Sequence, residues 1–281
     1  MAVIDLGVGP SDAPNNSQWD GPFERPSMSQ LIAEVRSLPD DLGLRLFAPS
    51  VRHAMGHGAP AMVIPGYLSH DLLSRRLVKL LRSLDHQAHA TGIGWHEGPT
   101  DRVIKQVRKR LVELSDRYGE PVNVVGHSLG GIYARLLAQE SPDRVRSVIT
   151  LGSPYRFGPD DMQASPLGAL FRAAEPVYSR ELHQIMQERR FAQPLAMPAT
   201  SVFTRADGIV PWRACIEPAG PMSENLEVRG RHAGLVSHVA VAAIVADRLA
   251  QPVDDWRPYE PPRALRNLVS TEASRGHGLG R

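Results

Sequence analysis

Short apolar runs alternate with longer amphipathic segments between about residue 60 and residue 250. Strand-like runs cover 61–64, 121–125 and 145–151, with weaker ones at 87–91, 202–204 and 226–228, and helix-like segments cover 71–84, 100–117, 132–139 and 237–249. This alternation is typical of βαβ units, in which helices cover a mainly parallel sheet. We therefore predict an α/β fold with a mainly parallel sheet flanked by helices.

One internal segment, 155–198, interrupts the alternation. It contains two helix-like stretches, at 166–174 and 179–190, before the next strand-like run. We predict that it is a small helical cap inserted into a core made of residues 28–154 and 199–250. Open α/β sheets bind ligands at the carboxyl ends of their strands, and we expect the cap to lie over that edge.

The two ends of the chain have a different composition from its middle. Residues 1–27 are rich in Pro, Asn, Ser, Asp and Gly, and several prolines follow Trp256 before a polar, Gly-rich end. Such segments bury little apolar surface. We predict a flexible N-terminal arm over 1–27 and a C-terminal tail over 251–281, with the ordered fold finishing near Ala250.

Composition and charge narrow the class of protein. Hydrophobic residues make up 42% of the chain, enough for a packed core, and 32 basic residues nearly balance 30 acidic ones. We therefore expect neither a nucleic-acid partner nor an anionic membrane partner. The single cysteine, Cys215, excludes an intrachain disulfide, and no signal peptide or membrane-spanning apolar run is recognisable. We expect a cytoplasmic protein without stable membrane insertion.

The motif with the clearest chemistry is Gly126-His127-Ser128-Leu129-Gly130, which matches G-x-S-x-G. A strand-like Val-Asn-Val-Val precedes it and a helix-like segment follows it, which is the context of a nucleophile elbow. The serine of such a turn adopts a strained backbone, and glycines two positions on either side avoid clashes with the strand and the helix. We predict that Ser128 is a nucleophile, although a serine that only caps the helix is the alternative.

A serine hydroxyl is a weak nucleophile that needs a base, and the base needs an acid to orient it. With this turn, the acid and then the histidine follow the serine along the chain. Asp207 is the preferred acid, because it lies in a turn just after a short strand and beside Gly208. Asp160 and Asp161 are weaker candidates within the predicted cap, and a purely turn-forming role for Asp207 is the alternative.

Two histidines compete for the role of the base. His232 belongs to the glycine-bounded loop Gly230–Gly234, which lies between the last short strand and the last helix. His238 lies at the start of that helix, where a capping or core role is expected. We therefore predict that His232 is the base and keep His238 as the alternative.

An acyl-transfer site also needs two N–H donors for the developing oxyanion. The residue after the nucleophile, Leu129, supplies one of them. The loop after the first strand, Pro65-Gly66-Tyr67, supplies the other, and because proline has no N–H we predict the N–H of Tyr67. A plain strand-ending turn is the alternative for this loop.

Together these motifs resemble the lipase and esterase branch of the α/β-hydrolase superfamily over roughly residues 60–250. The likeness includes Pro65-Gly66-Tyr67, Gly126–Gly131, Leu151-Gly-Ser-Pro154, Asp207–Trp212 and His232-Ala-Gly-Leu235. The resemblance implies a triad of Ser128, Asp207 and His232 with Tyr67 and Leu129 as oxyanion donors. Two positions differ from similar sequences. Pro65 stands where a histidine is common, and Ala233 stands where a cysteine often occurs that could pair with another near the position of Cys215.

These features predict a serine-dependent hydrolase that cleaves a small-molecule carboxylic ester, with an apolar part of the substrate held by the cap. Leu170, Phe171 and Tyr178 are the candidate substrate-binding residues, although the same side chains are needed to pack the cap. No metal or organic cofactor is expected, since no metal-ligand spacing such as H-E-x-x-H occurs. The alternatives are a thioesterase, an amidase or an acyltransferase with the same triad, and a non-catalytic binding protein of the same fold.

Overall fold

The computed structural model of the protein describes residues 24, 26–34, 59–157, 180, 184, 191 and 193–271. In chain order, the α-helices and strands of these residues are α1 (Met28–Glu34), β1 (Pro60–Ile64), α2 (Asp71–Ser83), β2 (Gln87–Ala90), α3 (Asp101–Tyr118), β3 (Val122–His127), α4 (Leu129–Glu140), β4 (Val145–Leu151), β5 (Ala199–Phe203), β6 (Ser223–Val228), α5 (Val239–Ala250) and β7 (Val269–Thr271). Short 3₁₀ turns at Trp212–Cys215 and Leu235–Ser237 join the later elements.

The strands of the described residues form one seven-stranded sheet in the order β2-β1-β3-β4-β5-β6-β7. All neighbours are parallel except β6 and β7, which are antiparallel. The register places Ile64 opposite Gly126 and His127 opposite Leu151, so the carboxyl ends of β1, β3 and β4 reach the same edge. The predicted α/β fold with a mainly parallel, helix-flanked sheet is confirmed.

Alternation along the strands divides the core between the two faces of the sheet. In β1, Ala61 and Val63 join the apolar cluster that includes α2 and α5, whereas Met62 and Ile64 join the cluster that includes α3 and α4. All five residues of β1 are buried, as expected for a parallel strand covered on both faces. This burial on both faces explains why β1 is an uninterrupted apolar run in the sequence.

Both ends of α3 illustrate how local sequence sets the boundaries of a helix. The Thr100 hydroxyl accepts a hydrogen bond from the N–H of Val103 and caps the first turn. Gly119 ends the helix in the left-handed region with φ of 68°, where glycine has no steric penalty. The helix predicted over 100–117 therefore has the expected bounds to within a residue.

The sequence predicted that the ordered fold finishes near Ala250, but the chain continues to pack on the core after this residue. Residues 251–271 pack against the core, Tyr259 and Leu265 are buried, and β7 adds an antiparallel strand to the edge of the sheet. The buried Glu224 carboxylate accepts the backbone N–H of Tyr259 at 2.8 Å and so fixes the returning chain. The expectation that the ordered fold ends at Ala250 is wrong for these residues.

Several predicted features lie outside the described residues. They include nearly all of the arm over 1–27 and most of the cap segment 155–198. The arm, the core and the cap therefore stay predictions, as does the tail beyond residue 271. In the described part of the chain, none of the helices combines the length and apolar character needed to cross a membrane. The cytoplasmic location also stays a prediction.

Candidate active site

The turn between β3 and α4 holds Ser128 at the carboxyl edge of the sheet. Its backbone has φ of 52° and ψ of −121°, a strained conformation for a residue with a side chain. The N–H of Ser128 donates to the carbonyl of Leu151 at 2.8 Å, which joins the turn to β4. The predicted strand–turn–helix context of G-x-S-x-G is therefore present.

Glycine is required on both sides of Ser128 because other backbone segments lie directly against these positions. A Cβ atom on Gly126 would collide with the backbone of Gly130, and a Cβ on Gly130 would lie 2.5 Å from the carbonyl oxygen of Ile64. Real Cβ atoms do not approach other atoms so closely. The small side chains of the motif therefore allow α4 to begin directly against β1 and β3.

Asp207 and His232 meet behind this turn. The Nδ1–H of His232 donates to Oδ2 of Asp207 at 2.7 Å, and both residues are about 3% exposed. The other oxygen of Asp207 accepts the backbone N–H groups of Ile209 and Val210, each at 2.8 Å. Asp207 thus organises its own turn and also orients the imidazole, leaving Nε2 to point away from the carboxylate.

The charges around His232 favour its protonated form. Burial lowers the pKa of this imidazole, but the charge and hydrogen bond of Asp207 and the charge of Glu34 raise it more. The pKa of His232 therefore lies above its usual value of 6.5. The same carboxylates stabilise the imidazolium that forms when the ring accepts a proton.

The alternative base has a different environment. His238 caps α5, where its Nδ1 accepts the N–H of Ala240 at 3.2 Å and its Nε2 lies 3.0 Å from the carbonyl of Arg229. His238 does not line the cavity that contains Ser128. The structure brings His232, rather than His238, together with Asp207.

Ser128 and His232 line one cavity at this edge of the sheet, and Tyr67 and Leu129 line it with them. A Cβ on the neighbouring Gly66 would lie 3.1 Å from the Cβ of Ser128, so the loop after β1 directly adjoins the serine. Leu129 begins α4, and the first N–H groups of a helix have no partner within it. Both predicted oxyanion donors are therefore adjacent to the candidate nucleophile.

Two further points concern the predicted site. The Ser128 side chain makes no capping hydrogen bond to α4. Hydrogen bonds between a nucleophile and its base often tighten only in the substrate complex. The predicted substrate-binding residues Leu170, Phe171 and Tyr178 lie outside the described residues.

The geometry agrees with a comparison of the sequence with known families. A model of the alpha/beta hydrolase fold family matches residues 7–193, about two thirds of the chain. The chain belongs to the α/β-hydrolase family. The resemblance inferred from its motifs is confirmed at this level.

Curated relatives match this α/β hydrolase over short segments. A triacylglycerol lipase of Pseudarthrobacter phenanthrenivorans is 31% identical over 87 residues, which is 29% of this chain and 27% of that protein. A GPI inositol-deacylase of Eremothecium gossypii is 44% identical over 59 residues, 17% of this chain and 6% of that protein. The match thus spans about a quarter or less of these relatives.

Solved structures resemble the α/β hydrolase over a longer stretch. The mature lipase BlEst2 of Bacillus licheniformis has a TM-score of 0.50 and 16% identity, covering 69% of this chain and 93% of that one. Est1E of Butyrivibrio proteoclasticus, determined with ferulic acid, has a TM-score of 0.50, 16% identity and coverage of 69% and 90%. At this level of identity these matches show the shared fold alone.

The structure adds residues of the site that the sequence motifs did not indicate. Buried His96 has its Nδ1 2.7 Å from the carbonyl of Gly66, and its backbone exchanges hydrogen bonds with Leu68 and Ser69. Because burial lowers the pKa of His96, the ring is neutral at pH 7 and its Nδ1–H donates to that carbonyl. His96 therefore fixes the loop that carries Tyr67.

His127, the residue before the serine, is the second addition. Burial and the nearby His232 lower the pKa of His127 to about 4, so the ring is neutral at pH 7. Its Nε2–H donates to the backbone carbonyl of His232 at 3.0 Å. His127, the first variable position of the G-x-S-x-G motif, thus holds the loop that contains His232. No pattern in the sequence indicates this role.

Proposed function

We propose that this α/β hydrolase is a serine hydrolase that cleaves a carboxylic ester through an acyl-enzyme on Ser128. The observation that carries the proposal is the shared cavity, in which a serine on a strained turn lies beside a histidine oriented by a buried aspartate. This is the constellation that activates a hydroxyl in acyl transfer.

The proposed reaction follows from the roles of these groups. Nε2 of His232 accepts the Ser128 proton as Oγ attacks the ester carbonyl, and Asp207 stabilises the resulting imidazolium. The N–H groups of Leu129 and Tyr67 donate to the oxyanion of the tetrahedral intermediate. The imidazolium then protonates the leaving alcohol, and water attacks the acyl-enzyme with His232 again as the base, which releases the acid and restores the serine.

The cavity walls support an ester with an apolar part. Large apolar side chains surround the polar groups, among them Leu129, Ile132, Phe157, Ile209, Val210 and Val236. Ligand pockets commonly combine such walls with a few polar groups that fix orientation. The names of the relatives, triacylglycerol lipase and GPI inositol-deacylase, also favour an acyl ester. We further propose that Leu170, Phe171 and Tyr178 of the cap segment contact the apolar part.

The test combines labelling by a fluorophosphonate with hydrolysis of p-nitrophenyl esters of increasing acyl length. We expect the wild type to label and to turn over ester, and Ser128→Ala to do neither. His232→Ala removes the base, and Asp207→Asn, which favours the wrong imidazole tautomer, should lower kcat about 10⁴-fold. His238→Ala is the matched control, since it removes a histidine that caps α5 outside the cavity.

The outcomes separate the alternatives. Loss of activity in His238→Ala but not in His232→Ala would assign the base to His238. Preferential turnover of a matched thioester or amide, or transfer to an added alcohol, would move the assignment to a thioesterase, an amidase or an acyltransferase. A folded wild type that neither labels nor hydrolyses any substrate would leave the binding protein as the function.

A further inference from the structure

A buried carboxylate on α1 joins the two loops of the candidate triad. Oε1 of Glu34 accepts the backbone N–H groups of Gly208 and His232, each at 2.9 Å. Its Oε2 accepts the N–H of Ala233 at 3.0 Å. One side chain, which is only 7% exposed, therefore binds the residue after Asp207 and the backbone of His232 at the same time.

The fit of α1 against the acid loop is close. A Cβ on Gly208 would collide with the carbonyl of Gln30, so a larger residue at 208 would push the helix away. The Gln30 amide also donates to the carbonyl of Arg205 at 3.3 Å. Glycine at position 208 thus allows the helix backbone to lie directly on the turn that presents Asp207.

Polar contacts, rather than apolar burial, dominate the docking of this helix. Two of its large apolar side chains, Met28 and Ile32, are 70% and 57% exposed. Hydrogen bonds to an ionised group are roughly twice as strong as neutral ones, and Glu34 makes three of them. The position of α1 against the site is therefore tied to the carboxylate of Glu34.

Glu34 also acts on His232 through its charge. The groups that face this imidazole are Asp207 from the loop after β5, His127 from the end of β3 and Glu34 from α1. His127 is neutral at pH 7, so Asp207 and Glu34 supply the negative charge near the ring. Both carboxylates raise the pKa of His232, against the effect of its burial.

We propose that Glu34 is a positioning residue for the reaction, which holds the Asp207 and His232 loops in register with each other and places a second negative charge behind the base. The proposal rests on the proposed function of Ser128 and His232. It assigns to the N-terminal helix a role in activity, although the helix contributes no group to the cavity that contains Ser128.

The test measures kcat, KM and the pH dependence of kcat/KM for Glu34→Gln and Glu34→Ala. Glutamine keeps one acceptor oxygen for Gly208 and His232 but loses the charge and the bond to Ala233, whereas alanine loses all three bonds. Displacement of a reacting group by about 1 Å costs about 100-fold in rate. We expect kcat to fall about tenfold in Glu34→Gln and about 100-fold in Glu34→Ala, with KM changed less than about twofold.

The pH profile distinguishes a positioning role from a structural one. The base must be neutral, so kcat/KM falls as the pH drops through the pKa of His232. Removing the charge of Glu34 lowers this pKa, so the acid limb should move to lower pH in both variants. Glu260→Gln is the matched control, because it removes an exposed carboxylate and should leave kcat and the acid limb at their wild-type values.

Two results would overturn the proposal. One is wild-type kcat and an unmoved acid limb in folded Glu34→Gln. The other is a lower melting temperature and lower kcat in that variant without any shift of the acid limb, which would make Glu34 a support of the fold alone. Ser128→Ala, measured in parallel, separates this failure from that of the hydrolase assignment: an active Ser128→Ala refutes the proposed function itself.

Discussion

A buried ion pair on α4 provides a test of what holds this helix in place. The helix begins directly after Ser128. Arg135 of α4 is fully buried, and its Nη1 donates to Oε2 of Glu217. The same guanidinium donates to the carbonyls of Phe191 and Gln193 and lies 4.3 Å from the ring centroid of Tyr155. The network thus connects α4 to the chain that enters β5 and to the segment after Trp212–Cys215.

The perturbation is Glu217→Gln, which keeps the shape of the side chain and removes its charge. Breaking a buried pair by removing one partner costs about 3–5 kcal/mol, because the remaining ion is buried without a counter-charge. Glutamine retains one acceptor for Arg135 and for the Tyr155 hydroxyl, so we expect a loss of about 3 kcal/mol, at the lower end of that range. A domain is stable by about 5–15 kcal/mol, so this is a large fraction of the total.

The assay is urea unfolding followed by circular dichroism, together with thermal melting. For a chain of this size a loss of 1 kcal/mol lowers Tm by about 2–4 °C, so the variant should melt about 6–12 °C below the wild type. Glu97→Gln is the control. It removes the carboxylate of the half-exposed Arg102–Glu97 pair, and we expect no resolvable change, since exposed pairs are weakened by solvent.

A Glu217→Gln protein whose unfolding midpoint changes no more than that of Glu97→Gln would contradict the assigned role of the ion pair. Such a result would mean that the carbonyls of Phe191 and Gln193, with the amide oxygen introduced at position 217, compensate the buried guanidinium without a counter-charge. Arg135→Met would then be the more damaging substitution, because it leaves the Glu217 carboxylate without its partner.

Two further predictions follow from the titration behaviour of buried groups. Because the pKa of His232 is raised, kcat/KM should be constant above this pKa and should fall about tenfold per pH unit below it. In a pH–rate profile, we expect the midpoint of the acid limb to lie above 6.5. A midpoint below 6.5 would contradict the assigned environment of His232. Burial and the charge of Asp207 raise the pKa of the Cys215 thiol well above its usual value, so the native protein should resist Ellman's reagent and react only on unfolding; rapid reaction of the folded protein would show that Cys215 is accessible.

Much of the fold was predictable because its signals are local. The central strand β1 is buried on both faces and therefore appears as a continuous apolar run, and α3 has both a capping threonine and a terminal glycine. The turn at Ser128 was predictable because its glycines form a recognisable local pattern, although only the contact of Gly126 with Gly130 is local and Gly130 itself lies against the distant Ile64. These features follow from steric and burial requirements that neighbouring residues satisfy together.

The features that sequence reasoning missed depend on contacts between distant parts of the chain. β7 has only three residues, two of them half-buried, and pairs with β6 more than 40 residues earlier. The bonds of Glu34 reach 174 to 199 residues along the chain. A glutamate at the end of a short helix gives no sign of such partners, because acidic residues are usually exposed.

The backbone of His232 is held from both sides by side chains of other elements. Its N–H donates to Glu34 of α1, and its carbonyl accepts the Nε2–H of His127 at the end of β3. The ring is held at Nδ1 by Asp207, so Nε2 is the ring atom that would accept the Ser128 proton in the proposed reaction. Since His127 directly precedes Ser128, the end of β3 carries the candidate nucleophile and also contacts the loop that carries the proposed base. A substitution that displaces the end of β3 should therefore affect the candidate nucleophile and the proposed base together, whereas one that displaces α1 should affect the base alone.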